Sequence, residues 1–112
     1  MKFSCEKALL QSAISTTSRA TAAKSSIPAL EGILLEAGEE LRFTGYNLET
    51  GIRTTVPAEV RESGSLVLSA RKFADVVGQL PDDTVNVSTE GLTVHIQSGA
   101  TEYNIPAIDP EE

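Results

Sequence analysis

One stretch of the chain decides the fold, and it runs Lys24-Ser-Ser-Ile-Pro-Ala-Leu-Glu-Gly-Ile-Leu-Leu-Glu-Ala-Gly-Glu-Glu-Leu-Arg-Phe-Thr-Gly-Tyr-Asn-Leu-Glu49. Its polar start predicts a loop, and its apolar run predicts a buried strand over Glu31–Ala37. Gly38-Glu39-Glu40 is typical of a hairpin connection. Residues 41–45 then alternate between apolar and polar side chains, which is the period of a half-buried strand. The stretch therefore predicts a loop followed by a β-hairpin.

The residues on either side extend this hairpin into a larger unit. A short strand is predicted at Lys2–Cys5, and apolar residues at helical spacing predict a helix from about Lys7 to Thr17. After the hairpin, Ile52, Thr54 and Val56 face one side of a third strand, which Pro57 ends. The first half of the chain is thus predicted to contain a strand, a helix and three further strands, in that order.

The second half repeats this order. Leu66–Leu68 predicts a strand, and the hydroxyl of Ser69 is suited to cap the helix that follows. That helix has an apolar face and ends at Pro81-Asp82-Asp83. Three further strands are predicted. The inward-facing residues of the second helix and these strands are Phe73, Val76, Val77 and Leu80, then Val85, Val87, Leu92, Val94, Ile96, Tyr103 and Ile105.

The two halves together predict the fold class. Aligning Phe3 with Val67 also aligns Leu9 with Phe73, so the sequence contains a βαβββ unit that repeats at an offset of about 64 residues. Two such units can pack helix beside helix against their sheets. The prediction is a single α+β domain over residues 1–112, with two helices on one side of antiparallel sheets.

The composition limits which cellular compartment and which kinds of functional site are expected. The chain has 112 residues, 40% of them hydrophobic, and no apolar run approaches the roughly 20 residues that span a membrane. The single cysteine, Cys5, favours a reducing compartment, so a cytoplasmic protein without membrane contact is expected. His95 and Cys5 lie far apart, and no metal-ligand or phosphate-loop motif occurs. We expect no metal, no cofactor and no catalytic residue.

The charges are divided unequally between helices and strands. The net charge is −7, which by itself argues against nucleic-acid binding. However, the two helical segments, 6–24 and 69–79, carry five basic and two acidic residues, whereas the remainder carries four basic and fourteen acidic residues. A basic helical layer and an acidic sheet layer would attract a DNA backbone to the helical side without reading bases. Chance and ordinary solubilising charge can produce the same division.

Three motifs carry a resemblance to a known family. They are Ile27-Pro28-Ala29-Leu30, Thr44-Gly45-Tyr46-Asn47-Leu48-Glu49, and Ala70-Arg71-Lys72-Phe73 followed by Leu80-Pro81. The chain resembles the amino-terminal domain of the bacterial DNA sliding clamp, the beta subunit of DNA polymerase III. In that family a basic loop leads through an Ile/Leu-Pro-x-Leu step into a strand, and Thr-Gly-x-Asx-Leu-Glu closes the next strand. The resemblance implies the DNA-clamp fold.

The resemblance also implies a function and a DNA-binding surface. It implies a ring-shaped processivity factor that encircles duplex DNA and tethers the replicative polymerase, without catalytic residues of its own. Lys24 stands where the family has a basic DNA-contacting residue, and Arg71 and Lys72 match a basic pair at the start of the second helix. Arg19 and Lys7 complete the candidate DNA-binding set.

Partners follow from the same resemblance. The last strand is expected to pair with a second clamp subunit in a head-to-tail homodimer, and Tyr103, Ile105 and Lys72 are the interface candidates. A purely intradomain role for Tyr103 and Ile105 stays open. Ala100 and Glu102 depart from a pattern of basic residues in some members.

Family subunits have three such domains, so this chain is expected to be the first of them. The full-length protein is then expected to bind the polymerase III catalytic subunit and the clamp loader.

Two other classes of function remain compatible with the residues alone. One is a small α+β enzyme whose site uses acidic turns such as Asp82-Asp83, although no motif demands it. The other is a protein-interaction module that uses an edge strand and does not bind DNA.

Overall fold

A computed structural model describes residues 1–21, 31–81 and 83–111 of the chain. Within these ranges lie two helices and nine strands. The first part contains β1 (Lys2–Glu6), α1 (Lys7–Ser18), β2 (Gly32–Ala37), β3 (Leu41–Tyr46), β4 (Gly51–Val56) and β5 (Glu59–Glu62). The second part contains β6 (Gly64–Ser69), α2 (Ala70–Gly78), β7 (Thr84–Glu90), β8 (Thr93–Ser98) and β9 (Thr101–Pro106).

The duplicated strand–helix–three-strand order is confirmed. β1, α1, β2, β3 and β4 form the first unit, and β6, α2, β7, β8 and β9 form the second. The sequence did not indicate β5, which is short and whose only apolar side chain, Val60, gives no alternating pattern. β5 joins the units and pairs with β1 at Phe3↔Val60.

The two units exchange their first strands, so β1 lies in the sheet of the second unit and β6 lies in the sheet of the first unit. The five-stranded sheet has the order β5-β1-β7-β8-β9, and the four-stranded sheet has the order β4-β3-β2-β6. β1 pairs with β7 over five residues, and β6 pairs with β2 over six, both antiparallel. This exchange locks the two units into one domain, because neither sheet is complete within a single unit.

Both sheets and both helices share one hydrophobic core. The alternating strands place one face inward, as Leu41 and Phe43 do in β3 and Val94 and Ile96 do in β8. α1 contributes Leu10 and Ile14, and α2 contributes Phe73 and Val77. The largest fully buried side chains are Phe3, Phe43, Phe73, Leu10, Ile14, Ile33, Leu35, Leu41, Leu68, Leu80, Ile96 and Val77.

Local signals at helix and turn ends agree with the sequence. The Ser69 side chain accepts a hydrogen bond from the backbone N–H of Lys72 at 3.3 Å, as predicted for the cap of α2. At the end of β3, the Asn47 side-chain oxygen accepts hydrogen bonds from the backbone N–H groups of Glu49 and Thr50. Thr44–Glu49 is therefore the end of a strand followed by a turn, as its composition indicates.

One predicted core position is wrong. Leu92 was expected to point inward, but it is 51% exposed and precedes β8, which begins at Thr93. Gly91 has a φ of +60°, and the pairing of Glu90 with Thr93 closes the hairpin around Gly91 and Leu92. The two-residue connection therefore removes Leu92 from the alternating pattern.

Gly45 has a packing role that a turn does not explain. A Cβ atom built on Gly45 would lie 2.2 Å from the carbonyl oxygen of Thr17, so the last turn of α1 rests directly on β3. Only glycine allows this approach of two backbones. The motif that contains Gly45 thereby sets the position of the carboxyl end of α1.

No helix in the described ranges is long and apolar enough to cross a membrane.

Candidate functional site

The two helices pack antiparallel, and Lys7 joins them at one end. The backbone N–H of Lys7, at the start of α1, donates to the Asp83 carbonyl at 2.6 Å. Its ammonium group donates to the Leu80 carbonyl at 2.7 Å, just beyond the end of α2. Lys7 is half-buried and satisfies a carbonyl at the negative end of the α2 dipole. Of the candidate DNA-binding residues, Lys7 therefore has a clear structural role.

The opposite end of the helix pair holds a basic cluster. The carboxyl end of α1 and the amino end of α2 line a shallow cleft of about 640 Å³, to which Ser18 and Thr21 contribute on one side and Arg71 and Lys72 on the other. Arg71 and Lys72 are exposed, and so is Arg19, which directly follows Ser18. We call Arg19, Arg71 and Lys72 the basic cluster. The structure thus brings the end of α1, at Ser18, beside Arg71 and Lys72, which lie 53 and 54 positions further along the sequence.

The antiparallel packing explains why two cations stand at a helix amino terminus. Arg71 and Lys72 lie in the first turn of α2, where the helix dipole disfavours positive charge by roughly 0.3–1 kcal/mol. The carboxyl end of α1, with its opposite dipole, lies across the same cleft. Asp75 and Glu31 also line the cleft, so acidic groups moderate the local field.

Hydroxyl side chains donate hydrogen bonds to backbone carbonyl groups at the carboxyl end of α1. Thr17 donates to the Ala13 carbonyl at 2.8 Å, and Thr21 donates to the Ser18 carbonyl at 2.9 Å. Ser18 donates to the Ile14 carbonyl. Each hydroxyl lies three or four residues after the carbonyl that it binds, a spacing that favours such bonds.

Lys24 and the Ile27–Leu30 step lie outside the described residues, as does Asp82. The assignment of Lys24 as a DNA contact therefore stays a prediction. So do the assignments of Arg19, Arg71, Lys72 and Lys7.

The interface candidates on β9 point toward the core. Ile105 is buried, and Tyr103 is half-buried and packs against the core. The Tyr103 hydroxyl donates to the Gln79 side chain at 2.9 Å, just after α2. Both residues therefore have intradomain contacts. β9 nevertheless forms one edge of the five-stranded sheet, and within the described ranges only β8 pairs with it. A role at a subunit interface stays a prediction.

Cys5 is in a protected position. It is 5% exposed, and its thiol lies 3.6 Å from the Pro57 carbonyl oxygen. Burial raises the pKa of the Cys5 thiol to about 11, so the group is protonated at neutral pH. In the described part of the chain, no group of three or more His, Cys, Asp or Glu side chains is arranged to hold a metal ion.

The helix pair, the exchanged sheets and the duplicated unit together define a DNA-clamp domain. The family model described as "DNA polymerase III beta subunit, N-terminal domain" matches residues 1–112, and the chain belongs to this family.

Solved structures and curated relatives agree with this assignment. The beta subunit of DNA polymerase from Streptococcus pyogenes superposes with a TM-score of 0.95 at 29% identity, over all of this chain and 31% of that one. The sliding clamp from Bacillus subtilis gives a TM-score of 0.95 at 30% identity, over all of this chain and 32% of that one.

Among curated relatives, the beta sliding clamp of Streptomyces coelicolor is 31% identical over all of this chain and 30% of that protein. The chain thus spans about a third of the length of the relatives it matches.

Proposed function

We propose that this chain is the first of three clamp domains in a ring-shaped processivity factor. The ring encircles duplex DNA and holds the replicative polymerase on its template. The observation that carries this proposal is the match of the DNA polymerase III beta-subunit family over residues 1–112. In this function the protein is an accessory subunit with no catalytic residues of its own, and enclosure of the DNA, rather than affinity, provides processivity.

The position of the cations supports a role for the helical side in DNA contact. Arg19, Arg71 and Lys72 are exposed at one end of the helix pair, and Lys24 follows α1 in the sequence. Contacts of such side chains with phosphates do not depend on the base sequence. Base-edge contacts discriminate by roughly 1–3 kcal/mol for each base pair, and they would hold the ring at particular sites. Sliding requires the first kind of contact and the absence of the second.

The proposed partners follow from the whole ring. In the full-length protein, β9 pairs with a second subunit in a head-to-tail homodimer, with Tyr103, Ile105 and Lys72 at or near the contact. The polymerase III catalytic subunit and the clamp loader bind elsewhere on the full-length protein. The protein acts in the cytoplasm and makes no membrane contact.

The first experiment uses the full-length protein loaded on closed circular DNA and on the same DNA after linearisation. Enclosure predicts long retention on the circle and rapid loss from the linear form, because the ring leaves only over an end. Equal rates of loss from the two forms would contradict enclosure.

The second experiment tests the proposed DNA contacts in the same protein. Lys24→Ala, Arg71→Ala and Lys72→Ala are each expected to weaken DNA binding most at low salt. Each lost phosphate contact reduces the slope of log affinity against log salt by about 0.9. Arg42→Ala is the matched control, because Arg42 is an exposed arginine on a sheet strand, 3.9 Å from Glu36. An unchanged salt dependence in all three variants would remove these residues from the DNA-binding set.

A further inference from the structure

The two helices begin with basic residues at equivalent positions of the repeat. Lys7 and Arg71 lie 64 positions apart, which is the offset between the two units. Lys7 is the first residue of α1, and Arg71 is the second residue of α2. Because the helices pack antiparallel, each of these cations lies beside the carboxyl end of the other helix. The repeat therefore predicts similar contacts for both.

The contacts of the two cations nevertheless differ. Lys7 is half-buried, and its ammonium group donates to the Leu80 carbonyl at 2.7 Å. The Arg71 side chain is exposed, and in the described part of the chain no residue forms a hydrogen bond or an ion pair with it. One cation is therefore bound within the domain, and the other is free to meet a ligand.

The chain that follows each helix explains the difference. The end of α1 is satisfied locally, because the Ser18 carbonyl accepts hydrogen bonds from both the N–H and the hydroxyl of Thr21, at 3.2 and 2.9 Å. Residues 79–83, after α2, include no Ser or Thr, and Pro81 has no N–H to donate. Two carbonyl groups in this segment accept from the ammonium group and the backbone N–H of Lys7 instead.

Lys7 therefore fixes the end of α2 that lies opposite the basic cluster. Its two hydrogen bonds, of 2.7 and 2.6 Å, join the start of α1 to the chain just after α2. The other end of α2 carries Arg71 and Lys72, and the nine residues of this helix form a rod of roughly 13 Å. A helix that loses a tie at one end can shift at the other, so Lys7 influences where both exposed cations lie.

We propose that Lys7 is a positioning residue for the DNA-contacting cations and is not itself a phosphate contact, whereas Arg71, its counterpart in the repeat, contacts phosphate directly. This rests on the proposed DNA-binding function. The duplication provides two cations at equivalent positions, and the different chemistry of the two helix ends divides their roles. Lys7 thereby leaves the set of candidate DNA contacts and becomes the residue on which the geometry of that set depends.

The first measurement is hydrogen exchange, followed by mass spectrometry, on the full-length protein without DNA. Lys7→Met removes the donor to the Leu80 carbonyl, and it is expected to speed exchange at the N–H groups of Gln79 and Leu80 about fivefold. Lys7→Arg keeps a charged donor and should restore the parent rate. Lys2→Met is the matched control, because Lys2 is an exposed lysine on β1. Unchanged exchange in Lys7→Met would overturn the proposal.

The second measurement is the salt dependence of DNA binding by the same full-length proteins. Lys7→Met is expected to lower the affinity about threefold and to leave the slope of log affinity against log salt unchanged, because no phosphate contact is lost. Lys7→Arg should restore the affinity. Arg71→Met is expected to reduce the slope by about 0.9. For Lys7→Met, either an unchanged affinity or a slope reduced by about 0.9 would refute the positioning role.

The same data separate a failure of this proposal from a failure of the proposed function. Unchanged DNA binding in Arg71→Met would contradict the proposed DNA contact of the basic cluster, and the positioning role would fall with it. A reduced slope in Arg71→Met, together with any of the contradicting results for Lys7→Met, would overturn the assignment of Lys7 alone and leave the proposed function standing.

Discussion

The contact between Gly45 and Thr17 gives the sharpest test of how the helical side is positioned. In Gly45→Ala, the new Cβ would meet the Thr17 carbonyl oxygen at 2.2 Å and the carbonyl carbon at 3.1 Å. Both are backbone atoms of a fully buried residue, so the clash cannot be relieved by rotating a side chain. The last turn of α1 must move away from β3.

The expected change in the free energy of unfolding follows from two opposing contributions. Overpacking of this kind destabilises a protein by about 1–3 kcal/mol, and a backbone neighbour places this site at the upper end. Replacing glycine by alanine restricts the unfolded chain, which returns about 0.4–1 kcal/mol. The net loss in free energy of unfolding is therefore about 2 kcal/mol. In a domain of this size, that lowers the melting temperature by roughly 8 °C or more.

Gly78→Ala is the matched control, because no described atom beyond its chain neighbours and its own helix backbone lies within 4 Å of its Cβ position, and Gly78 is the last residue of α2. It is expected to leave stability unchanged or raise it by up to about 1 kcal/mol. Urea unfolding followed by circular dichroism measures both variants. If Gly45→Ala unfolds at the same urea midpoint as the parent chain, the close approach of α1 to β3 is refuted. The placement of Ser18 beside the start of α2 would then be wrong as well.

Three further predictions concern single positions. Burial raises the pKa of the Cys5 thiol from 9.0 to about 11, so its thiolate fraction at pH 8 falls about 100-fold. Alkylation of Cys5 by iodoacetamide should therefore be at least that much slower in the folded chain than in urea. Equal rates would show that the thiol is accessible. Leu48 is 63% exposed with a φ of +79°, a region that costs most residues roughly 1–2 kcal/mol and that Asn tolerates better. Leu48→Asn is therefore expected to raise the free energy of unfolding by about 1 kcal/mol, and a lower free energy in urea unfolding would contradict this strain. Ile108→Pro removes the N–H that donates the 2.8 Å hydrogen bond to the Val67 carbonyl. It should lower the free energy of unfolding by about 1 kcal/mol and speed hydrogen exchange at the Val67 N–H. Unchanged protection of that N–H would show that the bridge is not formed in solution.

Local elements of the fold could be predicted because each depends on neighbours in sequence. The helical spacing of Phe73 and Val77, the Ser69 cap and the alternation in β3 all act within a few residues. The exchange of β1 and β6 between sheets could not be predicted, because it depends on pairings between residues 27 or more positions apart. β5 escaped detection for a related reason, since its pairing with β1, rather than its composition, makes it a strand.

The candidate site shows the same division between local and distant information. Counting charges by segment identified a basic helical side but gave no position within it. The antiparallel packing supplies that position, because it places the start of α2 beside the end of α1. It also distinguishes cations that look alike in the sequence, since the Lys7 ammonium is bound to the Leu80 carbonyl while Arg71 and Lys72 are exposed.

For the proposed ring, this arrangement predicts an uneven helical surface. The basic cluster lies at one end of the helix pair, while Ala8, Gln11 and Ser12 are among the exposed residues toward the start of α1. Uncharged side chains there offer a phosphate backbone little attraction, so contact should concentrate at the cluster. A few exposed cations give weak, salt-sensitive binding. That strength suits a ring that must stay mobile, because enclosure rather than affinity keeps it on the DNA.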